Sequence, residues 1–160
     1  MVSRFELHWH GGAFFDYVID GRSMFDEYDV GAEHGQVGSL GWLSARADAA
    51  AAARLLLEAP PDLGPWTSIY VCATCGDIDC GATAVVVELD GAEVVWRDPA
   101  AVNRHGSVDP GEPTWPEYPG APDSDRYAIA VGREGYERWP AELRFDAAEY
   151  RRAIAERGQR

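Results

Sequence analysis

The feature that most constrains the fold is a run of apolar residues that ends at a tight turn. Ala82–Leu89 contains three consecutive valines, as is typical of a central strand. Asp90 and Gly91 follow at once, and this pair favours the two-residue turn of a β-hairpin. Glu93–Arg97 is then the partner strand, and Thr67–Ala73 is a strand before them. The sequence therefore predicts a three-stranded meander.

A second hairpin is predicted at the start of the chain. Two aromatic-rich runs, Arg4–His10 and Ala13–Ile19, are joined by Gly11 and Gly12. A Gly-Gly connection suits a hairpin because glycine adopts positive φ without a steric penalty. Further short strands are predicted at Val37–Leu43, Tyr127–Val131 and Glu142–Phe145.

Two main helices are expected. Ala45–Glu58 is rich in alanine, the best helix former, and Ser44 is its predicted N-cap. Asp146 is predicted to cap a last helix that runs through Glu156. A shorter helix through Tyr28 is expected, with Ser23 as its N-cap and Asp26 three residues on. Together these patterns predict an α+β fold with a mostly antiparallel sheet and the two main helices packed on one face.

The chain of 160 residues is interpreted as a single domain, 1–160, with one unusual segment. Residues 98–125 contain six prolines and few aliphatic side chains. A long proline-rich acidic loop is expected there, and such loops in small domains are usually functional or poorly ordered.

The charge balance excludes several classes of function. The net charge is −13, and all 14 basic residues are arginines, so lysine chemistry is excluded. Neither nucleic acid nor an anionic membrane is an expected partner, since both are negatively charged. Without an apolar run long enough for a membrane span or a signal peptide, a cytoplasmic location is expected.

The negative charge is concentrated in the middle of the chain. Residues 60–125 hold two arginines against twelve acidic residues, a net charge of −10. Excess carboxylate can serve solubility alone. It can also form an acidic surface for a basic protein partner, and both interpretations are open.

Three cysteines lie close together at Cys72, Cys75 and Cys80, in the pattern C-x-x-C-G-x-x-x-C-G. Two thiolates three positions apart can share one zinc ion, and the following glycine lets the backbone turn back. Because structural zinc normally has four ligands, a histidine would complete the site, with His105 or His10 as the expected residue.

Other interpretations of the cysteines are open. The thiols could be reduced and structural, or Cys72 and Cys75 could form a redox disulfide that Cys80 resolves. An iron–sulfur cluster would lack its fourth cysteine. Asp77 and Asp79 favour a cation in the loop, and they raise the pKa of the thiols where no metal is bound.

Ile69–Ala82 resembles the signature of a family of small actinobacterial proteins with a YVCxxCGDxxCGA cysteine hairpin. The segments Glu93–Asp98 and Leu143–Asp146, with Tyr150, are similar to that family as well. Such proteins are sometimes labelled oxidoreductases. The resemblance implies that the cysteine loop matters to the family, and it supplies no reaction.

Two classes of function follow from these patterns. The first is a non-catalytic acidic binding module, such as an immunity-type inhibitor of a basic protein. Asp77, Asp79, Trp115 and Tyr118 are its expected contact residues, because aromatic side chains in an acidic segment suit a partner surface. The second is a small thiol- or metal-dependent enzyme that uses the cysteine hairpin. The first is preferred because no established catalytic motif is present.

Overall fold

The computed structural model describes residues 1–74, 76, 80–105, 114–115 and 128–158. The strands are β1 (Phe5–His10), β2 (Phe14–Ile19), β3 (Arg22–Ser23), β4 (Gln36–Gly38), β5 (Trp66–Cys72), β6 (Ala82–Asp90), β7 (Glu93–His105), β8 (Thr114–Trp115), β9 (Ala128–Gly132) and β10 (Glu142–Asp146). The helices are α1 (Met24–Glu27), α2 (Val30–His34), α3 (Ala45–Leu55) and α4 (Ala147–Ala155).

The predicted α+β fold with a mostly antiparallel sheet is confirmed. A seven-stranded sheet has the order β4-β5-β6-β7-β9-β8, and β10 pairs with the first part of β7. Strands β1, β2 and β3 form a second, three-stranded sheet. All pairings between these named strands are antiparallel. The β5–β6–β7 meander and the β1–β2 hairpin both form as the sequence predicts.

Strand β7 is longer than predicted. The proline-rich loop was expected to begin at residue 98, but the strand continues to His105. Pro99 does not end the strand because the pairing with β6 contains a bulge: Val86 pairs with Arg97, and Ala84 with Ala100. Beyond the bulge, buried alanine and valine side chains keep this part of the strand in a second apolar cluster with Trp66.

The predicted helix caps all form. The side chains of Ser23, Ser44 and Asp146 accept hydrogen bonds from the amides of Asp26, Ala47 and Glu149. These bonds satisfy amides that have no partner within the helix. Helix α3 is shorter than predicted, because Leu57 takes a left-handed φ of 59° and ends it. No described helix is long and apolar enough to cross a membrane.

An aromatic cluster joins α4 to both sheets. Phe5 of β1 lies 4.6 Å from the ring of Tyr150 and 5.7 Å from that of Trp96, measured between ring centroids. The fully buried hydroxyl of Tyr150 accepts a hydrogen bond from Trp96 Nε1 at 3.2 Å and donates one to the carbonyl of Leu55 at 3.0 Å. One phenol therefore links α4, the central strand β7 and the end of α3.

Replacing this phenol tests its contribution. We expect Tyr150→Phe to lower the free energy of unfolding by about 1–3 kcal/mol, because it leaves a buried indole N–H and a buried carbonyl without a partner. Tyr28→Phe is the matched control, since the Tyr28 hydroxyl makes no hydrogen bond to another described residue. Urea unfolding followed by fluorescence measures both, and equal losses would contradict the prediction.

Candidate functional site

The cysteine hairpin leaves the sheet between β5 and β6. Gly76 has a φ of +65°, and its amide donates a hydrogen bond to the carbonyl of Cys72 at 2.8 Å. The amide of Ala73 donates to the carbonyl of Gly35, so the end of α2 borders the hairpin. Cys72 is half-buried and Cys80 is exposed. Of the predicted site residues in the hairpin, Cys75, Asp77 and Asp79 lie outside the described residues.

The two histidines proposed as metal ligands lie in different surroundings. His105 ends β7, three residues beyond Val102, which pairs with Ala82 at the start of β6. Its backbone therefore lies at the same end of the sheet as the cysteine hairpin. The ring of His10 contacts two phenylalanines, Phe14 at 5.0 Å and Phe25 at 4.7 Å.

No group of three or more histidine, cysteine, aspartate or glutamate side chains that could hold a metal occurs among the described residues. Cys75 and the side chain of His105 lie outside the described part of the chain, so the proposed ligand set stays a prediction. Both other histidines lie next to glutamates: His8 Nε2 is 3.8 Å from Glu6, and His34 Nε2 is 3.8 Å from Glu33.

A row of buried, hydrogen-bonded side chains lies beneath the hairpin, formed by Gln36, Thr83 and Tyr136. It was not predicted from the sequence. Thr83 donates a hydrogen bond to the side-chain carbonyl of Gln36 at 2.7 Å. Since the threonine proton is then used, the hydroxyl of Tyr136 donates to Thr83 Oγ1 at 2.6 Å. The ring of Tyr136 also stacks on His34 and contacts the ring of Trp139, which in turn stacks on Tyr28. These contacts tie α1 and α2 to the turn after β9.

Asp16 is a second buried polar group, with only 1% of its surface exposed. It accepts hydrogen bonds from the hydroxyls of Tyr70, at 2.8 Å, and Ser23. Burial raises the pKa of Asp16, and these hydrogen bonds oppose the rise. Burial also raises the pKa of Tyr70 well above its usual value, so the phenol stays a donor. This arrangement connects the two sheets, because Asp16 belongs to β2 and Tyr70 to β5.

The raised pKa has a testable consequence. Folded Asp16 holds its proton to a higher pH than the unfolded chain does, so its ionisation reduces stability as pH rises above about 4. We expect Asp16→Asn, which cannot ionise, to gain stability relative to the natural protein between about pH 4 and about pH 7. Urea unfolding at several pH values measures the difference, and a difference that is constant or falls with pH would refute the prediction.

Five of the twelve carboxylates in residues 60–125 are described, and each has an internal partner. Arg144 binds two of them, Asp90 at 3.0 Å and Glu93 at 3.3 Å. Asp62 accepts hydrogen bonds from the amide and the hydroxyl of Ser68. Glu88 forms an ion pair with Arg97, and Asp98 forms one with Arg133. The other seven carboxylates of this segment lie outside the described residues: Asp77, Asp79, Asp109, Glu112, Glu117, Asp123 and Asp125.

These seven carboxylates are connected to one end of the sheet. In the sequence, Asp77 and Asp79 lie between Gly76 and Cys80, just before β6. The other five lie between His105 and Ala128, which pair with each other, and are separated into two groups by Thr114 and Trp115 of β8. Because β6 and β7 are antiparallel, the start of β6 and the end of β7 lie at the same end of the sheet, which we name the acidic end.

The predicted aromatic contact residues are only partly described. Trp115 belongs to β8, where its backbone pairs with Ile129 of β9 at the edge of the sheet. Tyr118 lies outside the described residues. Three further carboxylates lie close together in the sequence, and all are exposed on α1 or just after it: Asp26, Glu27 and Asp29.

Exposed apolar side chains border the cysteine hairpin. Leu43 is 53% exposed and Trp9 is 36% exposed. The side chain of Leu43 lies against Gly76, so closely that a Cβ atom at Gly76 would be 2.4 Å from Leu43 Cδ1. A cleft of about 360 Å³ contains both Leu43 and Trp9 in its lining. An apolar surface therefore adjoins the hairpin that carries two of the seven carboxylates.

Comparison with protein-family models, curated proteins and solved structures gave no match. The resemblance of the cysteine segment to the actinobacterial family stays a prediction.

Proposed function

We propose that the chain is a non-catalytic protein-binding module that recognises a basic protein partner through the acidic end. An immunity-type inhibitor, which neutralises a basic protein by covering it, is the biological role that this chemistry fits best. The observation that carries the proposal is where the acidic segment attaches to the fold. Seven of its twelve carboxylates belong to the stretches of sequence that precede β6 or follow β7, and the start of β6 and the end of β7 lie at one end of the sheet.

Electrostatic complementarity is the physical basis of the proposal. Carboxylates already paired with arginine or with backbone amides add little to the field outside a protein. Several carboxylates attached at one place produce a local negative potential, which steers a basic partner and raises its association rate. The exposed Leu43 and Trp9 beside the hairpin supply apolar area, and such area holds a complex together after encounter.

The test compares two variants that each lose four negative charges, one at the acidic end and one elsewhere on the surface. The acidic-end variant carries Asp77→Asn, Asp79→Asn, Glu112→Gln and Glu117→Gln. The matched control carries Glu58→Gln, Glu134→Gln, Glu137→Gln and Glu149→Gln, all at exposed positions. The probe is a fluorescein-labelled peptide of alternating arginine and valine, and anisotropy measures its affinity at about 50 mM and about 500 mM NaCl.

We expect the acidic-end variant to bind the peptide roughly tenfold more weakly at low salt and to lose most of its salt dependence. The control should stay within about twofold of the natural protein. Equal losses in both variants would mean that net charge alone acts, and the proposal would fail.

A structural zinc ion in the cysteine hairpin is a second proposal. The turn at Gly76 supports it, because a left-handed glycine after the second cysteine lets the backbone fold back over a shared metal. The position of His105 at the acidic end supports this residue as the fourth ligand to Cys72, Cys75 and Cys80.

Metal analysis of the purified protein tests this proposal. We expect one zinc ion per chain and a lower Tm after treatment with a chelator. His105→Asn should lose the zinc, whereas His10→Asn should retain it. A protein that is free of zinc, even after purification with added zinc, and whose Tm does not respond to the chelator would contradict the proposal.

A further inference from the structure

Strand β1 is at an edge of the three-stranded sheet, and β2 is its only strand partner among the described strands. The carbonyl of Arg4 accepts a hydrogen bond from the amide of Asp20, just after β2. In an antiparallel pair, the backbone groups of successive residues point alternately toward the partner strand and away from it. Even-numbered residues of β1 therefore direct their backbone groups toward β2. The N–H and C=O of Leu7 point the opposite way, toward the outer edge of the strand.

A groove runs along this outer edge. It has a volume of about 380 Å³ and lies between β1 and the end of α4. Five consecutive residues of β1, Phe5 to Trp9, line one side, and Ala153, Glu156 and Arg157 line the other. An edge strand beside a helix is the arrangement in which an extended peptide can add to a sheet as another strand.

The groove continues toward the acidic end. The cleft that contains Leu43 shares Trp9, Phe15 and Arg157 with it, so the two clefts are contiguous. Leu43, at the far side, packs against Gly76 of the cysteine hairpin. A segment that follows β1 and continues past Trp9 would therefore arrive beside Leu43 and Gly76 of the cysteine hairpin.

We infer that the groove between β1 and α4 binds an extended segment of the basic partner, which adds to β1 as a further strand. This inference rests on the proposed function and specifies how the partner docks. Of the three carboxylates that line the two clefts, Asp48 pairs with Arg157 at 2.7 Å and Glu6 with Arg4 at 3.0 Å. The third, Glu156 at the end of α4, has no arginine partner among the described residues and is the one that can meet a basic side chain. A second copy of this chain is the wrong occupant, because each copy carries a net charge of −13.

The recognition has two components. The outward N–H and C=O of Leu7 bind the backbone of the incoming segment, which gives affinity without dependence on its sequence. Alternate side chains of an extended segment point to opposite sides, so an arginine can face Glu156 while apolar residues meet Trp9 and Leu43. An alternating arginine–valine peptide therefore matches the groove in both respects.

The test uses the labelled arginine–valine peptide with four variants of the complete chain. Leu7→Pro removes the outward N–H but no bond to β2, and Leu7→Ala keeps that N–H as its control. Glu156→Arg reverses a charge in the groove, and Glu149→Arg reverses one on the same helix outside it. We expect roughly tenfold weaker binding for Leu7→Pro than for Leu7→Ala, and for Glu156→Arg than for Glu149→Arg, which should itself stay within about twofold of the natural protein.

Amide hydrogen exchange of the natural protein keeps the test decisive if Leu7→Pro fails to fold. The peptide should slow exchange at Leu7 by at least roughly tenfold, because a new hydrogen bond would cover this amide. The amides of Glu6 and His8, which point toward β2, should change little. Unchanged exchange at Leu7 in a saturated complex would overturn the inference.

The outcomes separate this inference from the proposed function. Binding that survives Leu7→Pro and Glu156→Arg but is lost in the acidic-end variant would overturn the groove and leave the basic partner in place. Binding that is as strong in the acidic-end variant as in the natural protein would overturn the proposed function.

Discussion

The length of β7 is the constraint on which the rest of the structure depends. One 13-residue strand pairs with β6 along one side and with two different strands, β10 and then β9, along the other. The bulge near Pro99 lets the strand change register without ending. Its first half carries Trp96 into the core beneath α4, and its second half leads to the acidic end. The first half of β7 thus belongs to the aromatic core, and its second half ends at the proposed recognition surface.

Polar groups inside the protein specify how the layers meet. The hydroxyl of Tyr150 joins α4, α3 and β7, while Asp16 joins the two sheets through Tyr70. Thr83 performs the same task between β6 and the turn that contains Tyr136. A buried polar group without a partner is costly, so each of these contacts strongly favours one arrangement over any shifted alternative. These groups explain the architecture, whereas the surface charges motivate the proposed function.

Local signals were predictable from the sequence, and contacts between distant segments were not. The turns at Gly11 and Gly91 and the three helix caps depend on neighbouring residues, so both hairpins and the starts of the helices could be predicted. Pro99 obscured the second half of β7, because a bulge depends on pairing with another strand. The groove beside β1 combines segments about 150 residues apart in sequence, and no local pattern indicates it.

The net charge and the open edge of β1 are physically connected. An unpaired edge strand is ordinarily a liability, because it can pair with the same strand of another copy and lead to aggregation. Proteins often protect such an edge with lysine, which this chain lacks entirely. A net charge of −13 opposes contact between two copies and attracts a positively charged segment. The same carboxylates would therefore keep the edge from pairing with itself and favour a basic partner, so that one physical property serves both solubility and recognition.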